Sequence, residues 1–540
     1  MIYVRRYCVL ICLLIFFIPI APAQRRSAAP TAQAHSQGAP SKPKLVLAIV
    51  VDQFRYDYLL RFGPDYHGGI ARLLSGGAVF HDARYIHFPT VTAVGHSTFL
   101  SGATPSLSGI VNNEWWDRQT KKVVTSVSDE QTALLGGAPG EKGSSPRRLL
   151  VSTIGDELKM AHPTSKVVGV SIKDRSAILP SGHMADAAYW FDNDSNHFVT
   201  SDYYAKQLPR WVEQFNAANP AGKYLGADWR ALDAKPGDKP LCSMRNGAEV
   251  RFCGPIENTP FGNELLESFA EKAIAEEKLG SHATTDVLTL SFSSNDYVGH
   301  AVGPDSAEMR DISIRTDQLI GKLLDFIDQR VGRGNTLIVF TADHGVAPVP
   351  SVNNARKMPG GWLDSADYAK KVGAELGKKF GGGSDWFRYS SYGFFYLNDE
   401  TVAKSNAEPS AIRGLAADVA RRLPHVARVL TRDDLLRPET AADSVGRAVQ
   451  LGFYGPRSAD LELVPEPYYI FGAGTGTSHS TPYSYDNHVP LIFYGTGIHA
   501  GNHYEAVTVN DIAPTLAAIL GVETPSGAVG HVLLDVVTTH

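Results

Sequence analysis

Five short runs, apolar on both faces and rich in β-branched residues, constrain this chain most: LVLAIVV at 45–51, KVVGVSI at 166–172, DVLTLSF at 286–292, NTLIVFT at 335–341 and VPLIFYG at 489–495. A strand with one face in water alternates apolar with polar residues; these runs do not, so both of their faces must be covered. Between two of them, Ile312, Thr316, Leu319, Leu323, Phe326 and Ile327 recur at helical spacing over about 306–331. The expected architecture is α/β, a mainly parallel central sheet sandwiched by helices, with inserted cap segments. Two stretches break the rhythm, at about 187–262 and 358–465. The first, rich in aromatics, is expected to lie over the mouth of the sheet.

The N-terminus bears on compartment. Arg5 and Arg6 precede an apolar run at 7–20 that ends in Ala21-Pro22-Ala23. This is the pattern of a cleaved signal peptide over 1–23, and the run is shorter than the ~20 residues of a spanning helix. Residues 24–41, rich in Ala, Ser, Pro and Gln, read as a flexible tether before a catalytic domain over 42–540. A periplasmic or secreted protein is expected, with no stable membrane insertion after cleavage. Of four cysteines, Cys8 and Cys12 would leave with the signal, and Cys242 and Cys253 would pair in an oxidising compartment. The net charge of -5, with both signs well mixed, excludes a general nucleic-acid binder.

Ligands of open α/β sheets bind beyond the carboxyl ends of the strands, so residues there carry the chemistry. Asp52 follows the first run, Asp296 and His300 the third, Asp343 and His344 the fourth, and His479 shortly precedes the fifth. Singly, each has an ordinary explanation: a helix N-cap for Asp52, a loop histidine for His300, a turn pair for Asp343 and His344. Three Asp and three His at one end of one sheet exceed what capping needs, and their mixed oxygen and nitrogen donors suit zinc. Six ligands are too many for one tetrahedral ion and fit two. Asp296 and His300 stand one helical turn apart and can face one ion, whereas the adjacent Asp343 and His344 need support from Asp52. Ions ~4 Å apart stabilise both oxygens of an in-line displacement at phosphorus, which makes phosphoryl transfer the leading chemistry.

The stretch HFPTVTAVGHSTFLSG at 87–102 offers a nucleophile. Its spacing from Thr92 is helix-like, with a stop at Gly102, and Thr92 is expected at the N-cap, where the helix dipole and free N–H groups favour an incoming phosphate. Contact with zinc would lower the pKa of its hydroxyl.

With these residues in hand, the chain resembles the alkaline phosphatase superfamily, in the branch of type I phosphodiesterases/nucleotide pyrophosphatases and PafA-like alkaline phosphatases. The resemblance rests on Asp52 after the first strand, PTVTAVGH, SGATPSLSGIVNNEWWD, DYVGHAVGP, TADHG and HSTPYSYDNHVPLIFYG, and spans nearly the whole mature chain. It implies two zinc ions, one held by Asp296, His300 and His479, the other by Asp52, Asp343, His344 and the nucleophile Thr92. Thr90 is then support, Asn113 contacts phosphate oxygens, and His479 is selected over the nearby His488. One more stretch separates branches: Lys173 and Arg175 stand two apart beyond a strand in SIKDRSAILPSGH. Two cations suit a dianionic phosphate with three free oxygens more than a diester with one oxygen blocked. The resemblance agrees, since this pair looks like that of the PafA-like monoesterases. The expectation is a monomeric alkaline phosphatase acting on small phosphate monoesters through a phosphothreonine, with a phosphodiesterase or nucleotide pyrophosphatase as the alternative. His96 is expected to be structural.

Overall fold

The apolar runs become strands because β-branched chains pack best on a pleated surface covered from both sides. The computed structural model describes residues 42–437, 443–472 and 474–538, so the expected signal peptide and tether lie outside the described residues. Among these residues, eleven strands form one central sheet. Its middle is parallel: Thr336–Thr341, Leu45–Val51, Asp286–Phe292, Val167–Ser171 and Ala187–Asp192 lie side by side in that order. The strand His488–Gly495 joins antiparallel beside Thr336–Thr341, so the fifth apolar run is buried without belonging to the parallel set. Register sets the site. Val51 pairs with Phe292 and Val50 with Thr341, so the carboxyl ends of three strands coincide.

Helices flank the sheet, and their apolar faces complete its core. Leu265, Leu266 and Phe269 of Pro260–Glu276 and Ile312, Ile320 and Leu323 of Ala307–Arg330 pack in one cluster with the strand residues. Each such side chain contributes about 1.5–3 kcal/mol when fully removed from water. No helix among the described residues is long and apolar enough to cross a membrane.

The two irregular stretches behave differently. The segment from Ala187 continues the sheet through Ala187–Asp192 and the antiparallel His197–Ser201, and only then turns irregular. Its aromatics build core: Phe198 stacks on Phe269 at 3.8 Å between ring centroids, and Tyr189 packs edge-on to Trp211. Pairing satisfies the backbone while the rings fill the space between sheet and helices, so this segment gains more from burial than it would over the mouth. Cys242 and Cys253 form a disulfide. The later stretch carries a four-stranded sheet of Phe387–Ser391, Phe394–Leu397, Leu461–Pro465 and Val426–Thr431, with its own core around Trp386, Phe395 and Leu463.

Candidate active site

Because the three strands end together, Asp52, Asp296 and Asp343 meet at one end of the sheet. Asp296 and His300 both lie on the helix Ser294–Val302, and Asp296 Oδ1 is 3.1 Å from His300 Nε2 and 3.8 Å from His479 Nε2. His344 Nε2 is 3.5 Å from Asp52 Oδ1, 3.4 Å from Asp343 Oδ2 and 3.4 Å from Thr92 Oγ1. The structure thus brings together all seven residues anticipated as ligands. The side chains of two triplets, Asp296, His300 and His479, and Asp52, Asp296 and His344, place donor atoms within 4.8 Å of one another. Asp296 reaches into both halves, whereas the sequence assigned it to one.

The histidines are prepared as ligands. His300 Nδ1 donates to Thr477 O at 2.9 Å, His344 Nδ1 to Gly345 O at 2.9 Å and His479 Nδ1 to Thr90 O at 2.7 Å. A carbonyl can only accept, so each proton sits on Nδ1 and each Nε2 lone pair is free for a cation, as ligating histidines are ordinarily arranged. Burial, then the neighbouring His344 and His300, drives His479 well below its ordinary value, and burial likewise lowers His344. Asp52 Oδ1 and Asp343 Oδ2 are buried without a hydrogen-bond partner. Against its burial, the Asp296 carboxylate raises His300. Imidazole Nε2 atoms and orphaned carboxylate oxygens around one point are the donor set that a divalent cation of the zinc type takes, so the residues present fit a metal centre.

Thr92 stands beside it. The helix Thr92–Ser101 begins at Thr92 itself, after an extended Val91, and not one residue later as an N-cap threonine requires. The reason lies in who caps: Asn113 Oδ1 accepts the Ala93 N–H at 2.8 Å, which leaves Thr92 Oγ1 to face His344 and Lys173 Nζ, the latter at 3.5 Å. Gly102, at φ 66°, ends the helix as anticipated. Lys173 Nζ lies 2.6 Å from both Asp52 Oδ2 and Asp296 Oδ2 and 5.0 Å from the Tyr297 ring centroid. Burial would strip its charge, but the Asp296 and Asp52 carboxylates hold the ammonium protonated above its ordinary range. Burial chiefly, and then the Asp343 charge, raises Asp52, while His300 and Lys173 hold Asp296 low against its own burial. Arg175 lines the same pocket, and its Nε has no hydrogen-bond partner among the described residues.

Three further residues hold the site together. His96 Nδ1 donates to Thr92 O at 2.9 Å and lies 3.2 Å from Asp343 Oδ2, while its Nε2 meets Ser291 Oγ at 2.9 Å. Thr90 Oγ1 donates to Thr481 O, in the loop that carries His479. Gln53 escaped the sequence reading. Its backbone N–H donates to Asp343 Oδ1 at 3.1 Å and its Nε2 to Asp296 Oδ1 at 2.6 Å, so it ties the two halves of the ligand set from a left-handed backbone, φ 64°. Its adjacency to Asp52 was the only signal. His488 is elsewhere, stacked on Tyr56 with its Nε2 donating to His81 O.

These side chains open into a pocket of about 460 Å³, with Thr92, Lys173 and Asp296 buried at its floor and Glu114 and Tyr392 exposed at its rim. None of residues 187–262 lines it.

Comparison with known proteins shows the family and the fold. Residues 46–488 match the family described as type I phosphodiesterase/nucleotide pyrophosphatase. Alkaline phosphatase PafA of Elizabethkingia meningoseptica is 35% identical over 93% of this chain and 96% of its own. Alkaline phosphatase PhoV of Synechococcus elongatus is 34% identical over 97% and 98%. The crystal structure of wild-type PafA superposes with a TM-score of 0.86 at 34% identity, covering 93% of this chain and 100% of that one.

Proposed function

The chain belongs to the type I phosphodiesterase/nucleotide pyrophosphatase family, and within it we propose an alkaline phosphatase, exported to the periplasm or medium, that hydrolyses small phosphate monoesters at two zinc ions through a phosphothreonine. One observation carries this reading: a threonine hydroxyl, three Nε2 lone pairs and three carboxylates converge at the floor of a pocket that Lys173 and Arg175 also line. A diester has one of its three oxygens blocked by the second ester group and gains less from these cations.

Asp296, His300 and His479 would hold one ion, and Asp52, Asp343, His344 and Thr92 the other. Bound zinc supplies Lewis-acid charge that acidifies the Thr92 hydroxyl and offsets charge on the departing oxygen. Thr92 Oγ attacks phosphorus as its bond to the leaving oxygen breaks, and water later cleaves the phosphothreonine. Lys173, Arg175 and the Asn113 Nδ2 group hold the three non-bridging oxygens, and because they are positioned before substrate arrives their stabilisation is available as charge redistributes. The helix N-terminus behind Thr92 adds favourable potential for the same anion. The Cys242–Cys253 disulfide supports an oxidising compartment.

The test compares kcat/KM for a nitrophenyl phosphate monoester and a bis-nitrophenyl diester, each with and without chelator. The monoester should be favoured by orders of magnitude, chelator should abolish both activities, and Lys173→Ala should hurt the monoester far more. A large diester preference that Lys173→Ala leaves untouched overturns the monoesterase reading in favour of the diesterase one.

A further inference from the structure

The rim of the pocket carries a feature that phosphoryl transfer does not use. The strands Phe387–Ser391 and Phe394–Leu397 of the cap sheet form a tight hairpin in which Ser391 pairs with Phe394, leaving Tyr392 and Gly393 as the turn. Their φ values are 48° and 84°, so both occupy the left-handed region that such turns demand and that Asn or Gly ordinarily fills at the first position. A bulky residue there costs on the order of 1–3 kcal/mol, and strain of this kind persists where the surrounding structure enforces it and a site makes use of it. Here the turn projects a tyrosine, 42% exposed, into the wall of the pocket. Burial, followed by the charges of Asp296 and Glu114, raises the Tyr392 hydroxyl, so the phenol stays neutral and feels both the floor and the rim.

The same hairpin fixes a charge. Tyr389 OH donates to Glu114 Oε1 at 2.6 Å, and Glu114 directly follows Asn113 in the chain. The residue at the head of the Thr92 helix and the carboxylate at the rim are therefore neighbours on one short segment. The cations of the pocket wall are Lys173 and Arg175, and Lys173 lies at the floor against Asp52 and Asp296. A second anionic group carried by the leaving portion of a substrate would point toward the exposed rim. Among the described residues it would meet Glu114 and no rim cation, while an uncharged ring or sugar finds the face of Tyr392.

We propose that Tyr392 and Glu114 form a leaving-group subsite that selects phosphate esters of uncharged alcohols and phenols and disfavours esters whose leaving group bears a further negative charge. The proposal rests on the phosphomonoesterase reading and adds the substrate class to it. Like charges a few ångströms apart in a partly screened site change rates by about tenfold, and aromatic contact with a leaving group is of similar size.

Phenyl phosphate and 4-carboxyphenyl phosphate, which differ by one charge remote from phosphorus, separate the possibilities. In the wild-type protein kcat/KM should favour phenyl phosphate about tenfold. Glu114→Gln should shrink that ratio at least about fivefold. Tyr392→Ala should reduce kcat/KM for phenyl phosphate relative to ethyl phosphate by about tenfold, and Tyr392→Phe, which keeps the ring and reports on folding, should retain the preference. A charge ratio unchanged by Glu114→Gln, or an equal loss on all esters in Tyr392→Ala, overturns the subsite and leaves the monoesterase reading standing. A wild-type protein that cleaves none of these esters overturns the monoesterase reading itself.

Discussion

Thr92 and His96 lie one helical turn apart, are both buried, and both carry groups able to take part in chemistry, yet their surroundings assign them different work. Thr92 Oγ1 faces His344 and Lys173 in the pocket. Both His96 nitrogens are spent on Thr92 O and Ser291 Oγ, with Asp343 beside them. Thr92→Ala should therefore abolish phosphomonoester turnover even with metal in excess and leave the melting temperature nearly unchanged, since it removes a hydroxyl whose bonds are long. His96→Ala loosens Asp343 and should show first as weaker metal retention, by roughly 10–100-fold, with activity recovering at high metal concentration. Equal loss of chemistry in both variants with full metal content would show that His96 reacts and does not brace. The residues of the proposed site were legible in the sequence because strand ends, a helix start and side-chain chemistry are local properties. Gln53 was not: its bond to Asp296 spans 243 residues and depends on a backbone angle that no side chain announces.

At the level of elements, the site depends on how closely the Thr92 helix approaches the loop after Thr336–Thr341. Gly95 makes the approach possible: a Cβ there would lie 2.2 Å from Asp343 O, against backbone that cannot swing aside. Gly95→Ala must push the helix and the Asp343 loop apart, separating the nucleophile from two ligands at once. The expected result is a loss of kcat of at least about 10²-fold, the scale of a 1 Å misplacement, together with a lower melting temperature. Wild-type activity in a folded Gly95→Ala protein would mean that the helix is not a fixed part of the site. The helix itself was readable from its spacing and Gly102, although its first turn was offset by one position because Asn113, remote in sequence, supplies the cap. The cap stretch was recognisable only as irregular. Its sheet pairs strands as far apart as Phe394 and Glu462, and the hairpin that reaches the pocket has no periodicity that points there. The aromatic segment after Ala187 misled for the reverse reason: a dense run of rings suggests a binding face, but pairing with a strand of the main sheet turns it inward.

Across the molecule, acidic side chains outside the metal centre set how stability varies with pH. Glu462 lies in the Leu461–Pro465 strand of the cap sheet, opposite Phe394 and Leu430, and burial alone raises its carboxyl from an ordinary 4.5 to about 8. Asp486 is raised from 3.8 to about 8, again chiefly by burial, against hydrogen bonds from Thr481 that favour its charge. In the unfolded chain both groups ionise near their ordinary values. Between roughly pH 4.5 and 8 the folded protein therefore holds one more proton at each than the unfolded chain does, and stability falls as pH rises, by about 1.4 kcal/mol per unit and group, levelling off above 8. His87 acts in the opposite sense below pH 6.5: burial lowers it to about 3, so unfolding takes up a proton there and stability rises with pH. Above 6.5 that contribution is complete, so the descent steepens from about 1.4 kcal/mol per unit at pH 4.5–6.5 to about 2.8 at pH 6.5–8. Glu462→Gln removes one of the two acids while keeping shape and polarity. Melting temperature measured from pH 5 to 9 at fixed metal concentration should fall less steeply in this variant, and the variant should be the more stable protein by a few kcal/mol at pH 8. Subtracting the two curves cancels every other titrating group, so a difference that stays flat between pH 5 and 8 would mean that Glu462 is ionised in the folded protein and that the cap core holds a charge.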